Sequence, residues 1–306
     1  MSTLIRAGAV MLVAFAASAS LVNDVRVEMD KGRWAQAERE VAASRAKQGD
    51  TPEVAAALSW LARGALDAKN LSAADQYAVE ARKAALAGLK RTKLDDDPWL
   101  PVALGASMEV HAQVLHDRGK TAEAVAFLQQ QLKLFGSTSL SERIEKNLNL
   151  LNLVGKPAPR LEETEWIGRK PPALGSLKGH AVLLFFWAHW CPDCKAEARV
   201  LGNVMRKYAS HGLELIGPTK LYGYAAGGEP AAPASERKYI EQVKNKYYAM
   251  LADMPVPVSS ANFRLYGAST TPTLVLVDRA GIVRLYHPGT ISEDQLSAQV
   301  EAALRH

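Results

Sequence analysis

The feature that most constrains the fold of this chain is its cysteine usage: its 306 residues contain two cysteines, Cys191 and Cys194. Two cysteines so close together cannot cross-link distant segments. They therefore indicate redox or metal chemistry rather than a structural disulfide framework. Before them, residues 181–187 form an unbroken apolar run, which predicts a strand buried on both faces of a sheet. A helical pattern follows from Lys195 to about Ser210. The predicted order is therefore a strand, a Cys-x-x-Cys turn and a helix.

This order places Cys191 at the N-terminus of a helix, where unpaired N–H groups and the helix dipole stabilise a thiolate and lower its pKa from about 8.5. Cys191 is therefore the candidate nucleophile. Cys194, one helical turn later, is placed to attack a mixed disulfide and release the substrate. The alternative is half of a zinc site, but the sequence has no second cysteine pair and no closely spaced histidine pair to complete one. We expect no metal and no cofactor.

A second signal lies further along the chain, where Thr271-Pro272-Thr273 comes directly before an apolar run at residues 274–277. A proline in this position could be an ordinary loop residue. In a chain with a Cys-x-x-Cys pair, a cis-proline is favoured, because the kink leaves an open backbone edge beside the sulfurs for an extended substrate. Pro272 is therefore predicted to be cis.

With these motifs, the chain from about residue 155 to 306 resembles the thioredoxin-fold domain of the TlpA/ResA-like exported thiol:disulfide oxidoreductases. The residues that carry the resemblance are Phe186-Trp187-Ala188-x-Trp190-Cys191-x-x-Cys194, Glu197, Thr271-Pro272-Thr273 and Val277-Asp278-x-x-Gly281. The resemblance implies that Cys191 is the attacking thiol and Cys194 the resolving thiol. It also implies that Pro272 is the cis-proline and that the Glu197 carboxylate assists proton movement.

Two positions depart from the family pattern. Phe185 stands where thioredoxins carry a buried aspartate and this group often carries asparagine, so proton transfer by that route is lost. Arg199 stands where the family often has a proline that kinks the helix, so the active-site helix is expected to be straighter.

A long connection is predicted to lie beside the cysteine pair. Residues 213–216 predict a second, parallel strand, and a long loop at 220–234 follows, rich in Ala, Gly and Pro from residue 225. Because parallel strands end at the same edge of a sheet, this stretch must emerge next to Cys191. It could bind substrate or be a disordered insertion. The candidate substrate-binding residues are Trp190, Thr271, Tyr222 and Tyr224.

The first half of the chain reads as helical. Residues 24–152 are rich in Ala, Leu, Glu, Gln and Lys, with apolar positions at helical spacing, which predicts six or seven helices. Three connections resemble the tetratricopeptide turn, at residues 31–37, 69–74 and 118–124. Their spacing is not the steady repeat of about 34 residues, so an irregular bundle is an equal alternative. Both arrangements favour contact with a protein partner. His111 and His116 are wrongly spaced for a shared metal on one helical face.

Residues 1–19 have the order of a secretory signal peptide: an early positive charge at Arg6, an apolar run at 7–17 and the small-residue end Ala17-Ser18-Ala19. A membrane anchor is less favoured, because the apolar run is shorter than the roughly 20 residues that span a bilayer. Export would place the cysteine pair where disulfides persist.

Charge and composition exclude several function classes. The chain has 37 Lys and Arg against 32 Asp and Glu, a net charge of +5, but the two signs are interleaved. The absence of a basic stripe with aromatic residues argues against nucleic-acid binding. No Gly-rich phosphate loop, His-Glu-x-x-His or Gly-x-Ser-x-Gly motif is present, so nucleotide, metalloprotease and serine-hydrolase functions have no support.

The sequence thus predicts a signal peptide at 1–19, a helical tetratricopeptide-like domain at 20–152 and a thioredoxin-like α/β domain at 153–306. The predicted function is an exported thiol:disulfide oxidoreductase that reduces protein disulfides, because the family resemblance implies that direction. Asp193 also disfavours the thiolate beside it. The expected partners are a disulfide-containing protein, a membrane or exported electron donor, and a protein bound by the helices. One alternative is a redoxin-type peroxidase, although such an enzyme has threonine at the position of Ala188. The other is a helical scaffold with a structural disulfide.

Overall fold

A computed structural model describes residues 20–305 of the chain, so the predicted signal peptide lies outside the described residues. Seven α-helices come first, which confirms the predicted helical region. They are α1 (Leu21–Asp30), α2 (Trp34–Gln48), α3 (Pro52–Asp67), α4 (Leu71–Gly88), α5 (Leu100–Asp117), α6 (Thr121–Phe135) and α7 (Ser141–Asn152). Local capping explains several boundaries: the Thr51 side chain accepts the Val54 N–H at the start of α3, and the Asn70 side chain accepts the Ala73 N–H at the start of α4.

The helices stack in chain order. α3 packs against α4 and α5, and α5 packs in turn against α6 and α7. Small side chains fill the contacts between α3, α4 and α5, among them the fully buried Ala55, Ala57, Ala81, Ala85 and Ala103, so these helices can approach closely. Contact mainly between near neighbours is the pattern of stacked helical hairpins. The assignment as a tetratricopeptide repeat, and the predicted domain boundary at residue 152, stay predictions.

The second half of the chain is built on a four-stranded mixed sheet. Its strands, in spatial order, are β3 (Leu213–Ile216), β2 (Ala181–Phe186), β5 (Thr273–Val277) and β6 (Val283–Pro288). β2 runs parallel to β3 and antiparallel to β5, and β5 is antiparallel to β6. A small antiparallel pair, β1 (Trp166–Ile167) and β4 (Val256–Pro257), lies outside this sheet. The predicted strand, turn and helix order around the cysteines is confirmed.

Helices cover both faces of the sheet. They are α8 (Pro192–Tyr208), α9 (Pro233–Tyr247), α10 (Ser260–Tyr266) and α11 (Glu293–Arg305). Side chains of β2 alternate between two cores: Leu183 and Phe185 pack with residues of α8, α9 and α11, whereas Leu184 and Phe186 pack with Phe263 of α10. This two-sided burial explains why β2 is apolar throughout.

The segment that joins the helical region to the second half of the chain is hydrogen-bonded to the sheet. The Gly155 N–H donates to the Val283 carbonyl at 2.8 Å, and the Val283 N–H donates to the Lys156 carbonyl at 2.9 Å. The Ala158 N–H also donates to the Gly281 carbonyl. The segment after α7 is therefore fixed along the start of β6. None of the helices within residues 20–305 is both long and apolar enough to cross a membrane.

Candidate active site

The two cysteines lie between the end of β2 and the first turn of α8. α8 begins at Pro192, so Cys191 caps the helix, and its Sγ accepts a 3.1 Å hydrogen bond from the Cys194 N–H. The sulfurs are joined in a disulfide. Both residues are buried, with Cys191 2% and Cys194 0% exposed. In the dithiol, this N–H and the positive end of the helix dipole would stabilise a thiolate on Cys191 rather than on Cys194.

The loop before β5 lies directly against the disulfide. The Cys191 Sγ is 3.3 Å from the carbonyl oxygen of Thr271, and the Thr271–Pro272 peptide bond is cis. The Thr271 Oγ1 is buried and has no hydrogen-bond partner among the described residues. The fold thus brings together the two motifs that the sequence analysis singled out, although they are far apart in the chain.

Glu197 is a buried carboxyl group on the active-site helix. It follows Cys194 by three residues, which places both on one face of α8. The residue is 3% exposed, and its Oε1 accepts a 3.3 Å hydrogen bond from the Ile291 N–H. Burial raises the pKa of Glu197, while the Ile291 hydrogen bond and nearby His287 oppose the shift. A carboxyl with a raised pKa can exchange protons near neutral pH more readily than an ordinary one.

We expect Glu197→Gln to stabilise the folded protein at neutral pH. Because burial raises the pKa of Glu197 above its ordinary value of 4.5, the folded state holds this proton longer than the unfolded chain. The stability of the wild type therefore falls as the pH rises through the ordinary pKa towards the raised one. Glutamine keeps an acceptor for Ile291 and does not ionise. Urea unfolding of both oxidised proteins from pH 4 to pH 8 should give a gain that grows with pH, and parallel stability curves would contradict this account of Glu197.

The core beneath the disulfide is apolar and aromatic. Phe185, at the position where the family pattern has a polar residue, is fully buried in β2. Its ring centroid lies 5.9 Å from that of Tyr248, which also lies 4.9 Å from Trp187. No carboxylate of β2 is therefore available to the cysteines. α8 continues without interruption past Arg199, as the absence of the family's proline predicts.

Aromatic side chains line the other side of the disulfide. Trp190 is 46% exposed, and its ring centroid lies 5.6 Å from that of Tyr222. Tyr224 lies 5.3 Å from His189 and 6.2 Å from Tyr222. The loop between β3 and α9 (residues 217–232, the tyrosine loop) therefore reaches the cysteine turn, and both of its tyrosines lie beside that turn. Their role in substrate binding stays a prediction.

A buried histidine and a buried glutamate hold this loop, and neither is predicted from the sequence. Nε2 of His189, which is fully buried, lies 3.2 Å from Oε1 of Glu236. Glu236, at the start of α9, also accepts the N–H groups of Tyr222 at 2.5 Å and Gly223 at 2.9 Å. Burial lowers the pKa of His189, although the bond to Glu236 opposes the shift. The Cys-x-x-Cys turn and the tyrosine loop are thus joined through one carboxylate.

Comparison with known proteins identifies the family. The AhpC/TSA family profile matches residues 154–286. The thiol:disulfide interchange protein DsbE of Escherichia coli K12 is 30% identical over 142 residues, which cover 46% of this chain and 68% of that protein. The chain belongs to the DsbE/ResA family of thiol:disulfide oxidoreductases. The Cys191–Cys194 pair has the Cys-x-x-Cys spacing of such an enzyme, and the predicted thioredoxin-like fold and oxidoreductase activity are confirmed.

A second relative and a solved structure are also similar to part of this chain. The thiol-disulfide oxidoreductase ResA of Bacillus anthracis is 26% identical over 148 residues, covering 48% of this chain and 77% of the relative. A crystal structure of a thioredoxin-family thiol:disulfide interchange protein from Chlorobium tepidum is 25% identical, with a TM-score of 0.39, and covers 49% of this chain and 97% of that one. The family profile begins after α7, so the helical region lies outside it.

Proposed function

We propose that this oxidoreductase is exported and reduces disulfides in other proteins. The observation that carries the proposal is the buried Cys191–Cys194 disulfide at the start of α8, held between the Thr271–Pro272 loop and exposed Trp190. This arrangement suits a substrate that is itself a polypeptide. An extended segment can approach the backbone at Thr271, while an apolar side chain packs on the aromatic surface.

The proposed reaction transfers two electrons from the protein to the substrate. The Cys191 thiolate attacks one sulfur of the substrate disulfide, forms a mixed disulfide and releases the other sulfur as a thiolate, which takes up a proton. Cys194 then loses its proton, with Glu197 as the proposed acceptor, and attacks the Cys191 Sγ. The substrate leaves as a dithiol, and the Cys191–Cys194 disulfide forms. An external dithiol, exported or membrane-bound, must return the protein to its reduced state.

Two features of the sequence support the direction and the compartment. Asp193 lies exposed in the first turn of α8, and its negative charge next to the sulfurs disfavours the thiolate, which makes the dithiol a better electron donor. The signal-peptide pattern of residues 1–19 supports export. The helical region is proposed to contact a protein partner.

Reduction of insulin tests the proposed function. With dithiothreitol as the electron donor, the full chain should accelerate insulin precipitation well beyond dithiothreitol alone, and a Cys191→Ser/Cys194→Ser double variant should not. The same preparation should consume hydrogen peroxide no faster than the double variant, because Ala188 stands where a redoxin-type peroxidase has threonine. Peroxide consumption without insulin reduction would favour the peroxidase, and no activity in either assay would favour a scaffold with a structural disulfide.

A further inference from the structure

The tyrosine loop, residues 217–232 between β3 and α9, is held from the helical region as well as from α9. The Nζ of Lys220 lies 2.7 Å and 2.9 Å from the two carboxylate oxygens of Glu142, in the first turn of α7. Both side chains are partly buried, with Lys220 19% and Glu142 20% exposed. A pair that is withdrawn from water and engages both oxygens is screened less than an exposed pair, so it can hold a loop in place.

Lys220 also contacts one aromatic ring of the loop after β3 and one of α10. Its Nζ lies 5.5 Å from the ring centroid of Tyr222 and 4.9 Å from that of Phe263. Tyr222 packs against Trp190, and Phe263 belongs to α10, the helix that leads into the Thr271–Pro272 loop. One ammonium group therefore connects α7 to Tyr222, beside the cysteine turn, and to α10.

A separate close contact fixes α10 on the same helix. Gly267 ends α10 with a φ of +60°, and a Cβ built on it would lie 2.6 Å from the Cα of Lys146 in α7. The Tyr286 hydroxyl shares its one proton between the carbonyl oxygens of Tyr266 and Gly267, at 2.9 Å and 3.1 Å, which holds this corner in place. The two backbones thus meet without a side chain between them. α7 supports the loop that carries Pro272 as well as the tyrosine loop.

We infer that α7 of the helical region takes part in recognising polypeptide substrates, with Glu142 as a positioning residue that fixes Tyr222 beside Trp190 through Lys220. This inference rests on the proposed reduction of protein disulfides. Glu142 affects how a polypeptide binds, and it does not touch the sulfurs. Its loss therefore slows the reaction with a protein disulfide and leaves the reaction with a small disulfide unchanged.

The test compares two disulfides in the full-length protein. Glu142→Gln and Lys220→Met should each lower kcat/KM for insulin by about fivefold to tenfold, through KM, because truncating one partner of a partly buried charge pair frees the loop. The rate with 2-hydroxyethyl disulfide should change by less than about twofold. The matched control is Glu123→Gln, which removes the exposed Lys120–Glu123 pair of the helical region and should leave both rates unchanged.

A conservative variant separates positioning from simple loss of stability. Lys220→Arg keeps a cation that can pair with Glu142 and contact both rings, and should keep insulin kcat/KM within about threefold of the wild type. Equal slowing of both disulfides, no slowing of either by Glu142→Gln and Lys220→Met, or a Lys220→Arg variant as slow as Lys220→Met would overturn the inference. A wild-type protein that reduces 2-hydroxyethyl disulfide but not insulin would instead count against the proposed function.

Discussion

Replacing Cys191 with serine abolishes disulfide exchange, whereas replacing Cys194 with serine leaves a protein that accumulates a mixed disulfide with its substrate. We expect exchange by the Cys191→Ser variant to fall to roughly a hundredth of the wild-type rate or less, because a serine hydroxyl is not ionised at neutral pH. The Cys194→Ser variant keeps the thiolate at the helix N-terminus but lacks the thiol that releases the substrate. Mass spectrometry without reductant measures the trapped adduct.

Alkylation of the reduced wild type checks the assignment of these roles. Brief treatment with iodoacetamide at neutral pH should modify Cys191 before Cys194. The reason is that the Cys191 Sγ accepts the Cys194 N–H and lies at the N-terminus of α8. The control is the same labelling in urea, where the two thiols should react alike. Faster labelling of Cys194 in the folded protein would reverse the assignment.

Replacing Gly267 with alanine is expected to destabilise the protein by about 2–5 kcal/mol, because it combines a left-handed backbone with overpacking against α7. The φ of Gly267 is +60°, and an added Cβ would meet the backbone of Glu145 and Lys146. The change should also loosen the contact between α7 and α10. Urea unfolding measures the loss of stability, and limited proteolysis after α7 detects the loosened contact.

Gly119→Ala is the matched control for this substitution. Gly119 also follows a helix with a positive φ, +77°, but a Cβ there would meet nothing within 4 Å. Its loss should therefore be limited to the left-handed backbone cost of about 1–2 kcal/mol. Equal losses for the two variants would show that α7 and α10 do not press together at Gly267.

The parts of the site that the sequence predicts are those with a local pattern. The apolar run of β2, the Cys-x-x-Cys pair and the helix after it follow one another in the chain, so their relation does not depend on the rest of the fold. The position of Tyr222 could also be expected, because parallel strands end at one edge of a sheet. In the helical region, caps such as Thr51 and Asn70 mark the boundaries.

The parts that the sequence does not predict depend on contacts between distant residues. His189 and Glu236 are 47 positions apart, and Glu142 and Lys220 are 78 apart, so no local pattern relates them. The sequence around a single histidine or lysine does not indicate which distant residue it contacts. The seven-residue α10 is too short to show a clear helical period, and its ends are defined by the Ser259 cap and by Gly267.

The reduction potential of the Cys191–Cys194 pair tests most directly whether this protein donates electrons to protein disulfides. Equilibration of the full chain with defined ratios of reduced to oxidised dithiothreitol, followed by alkylation and mass spectrometry, gives the fraction of dithiol at each ratio. For a donor of electrons to protein disulfides we predict a potential of about −270 mV or lower, in the range of reducing thioredoxins. A potential near about −120 mV, typical of a strong disulfide oxidant, would contradict it.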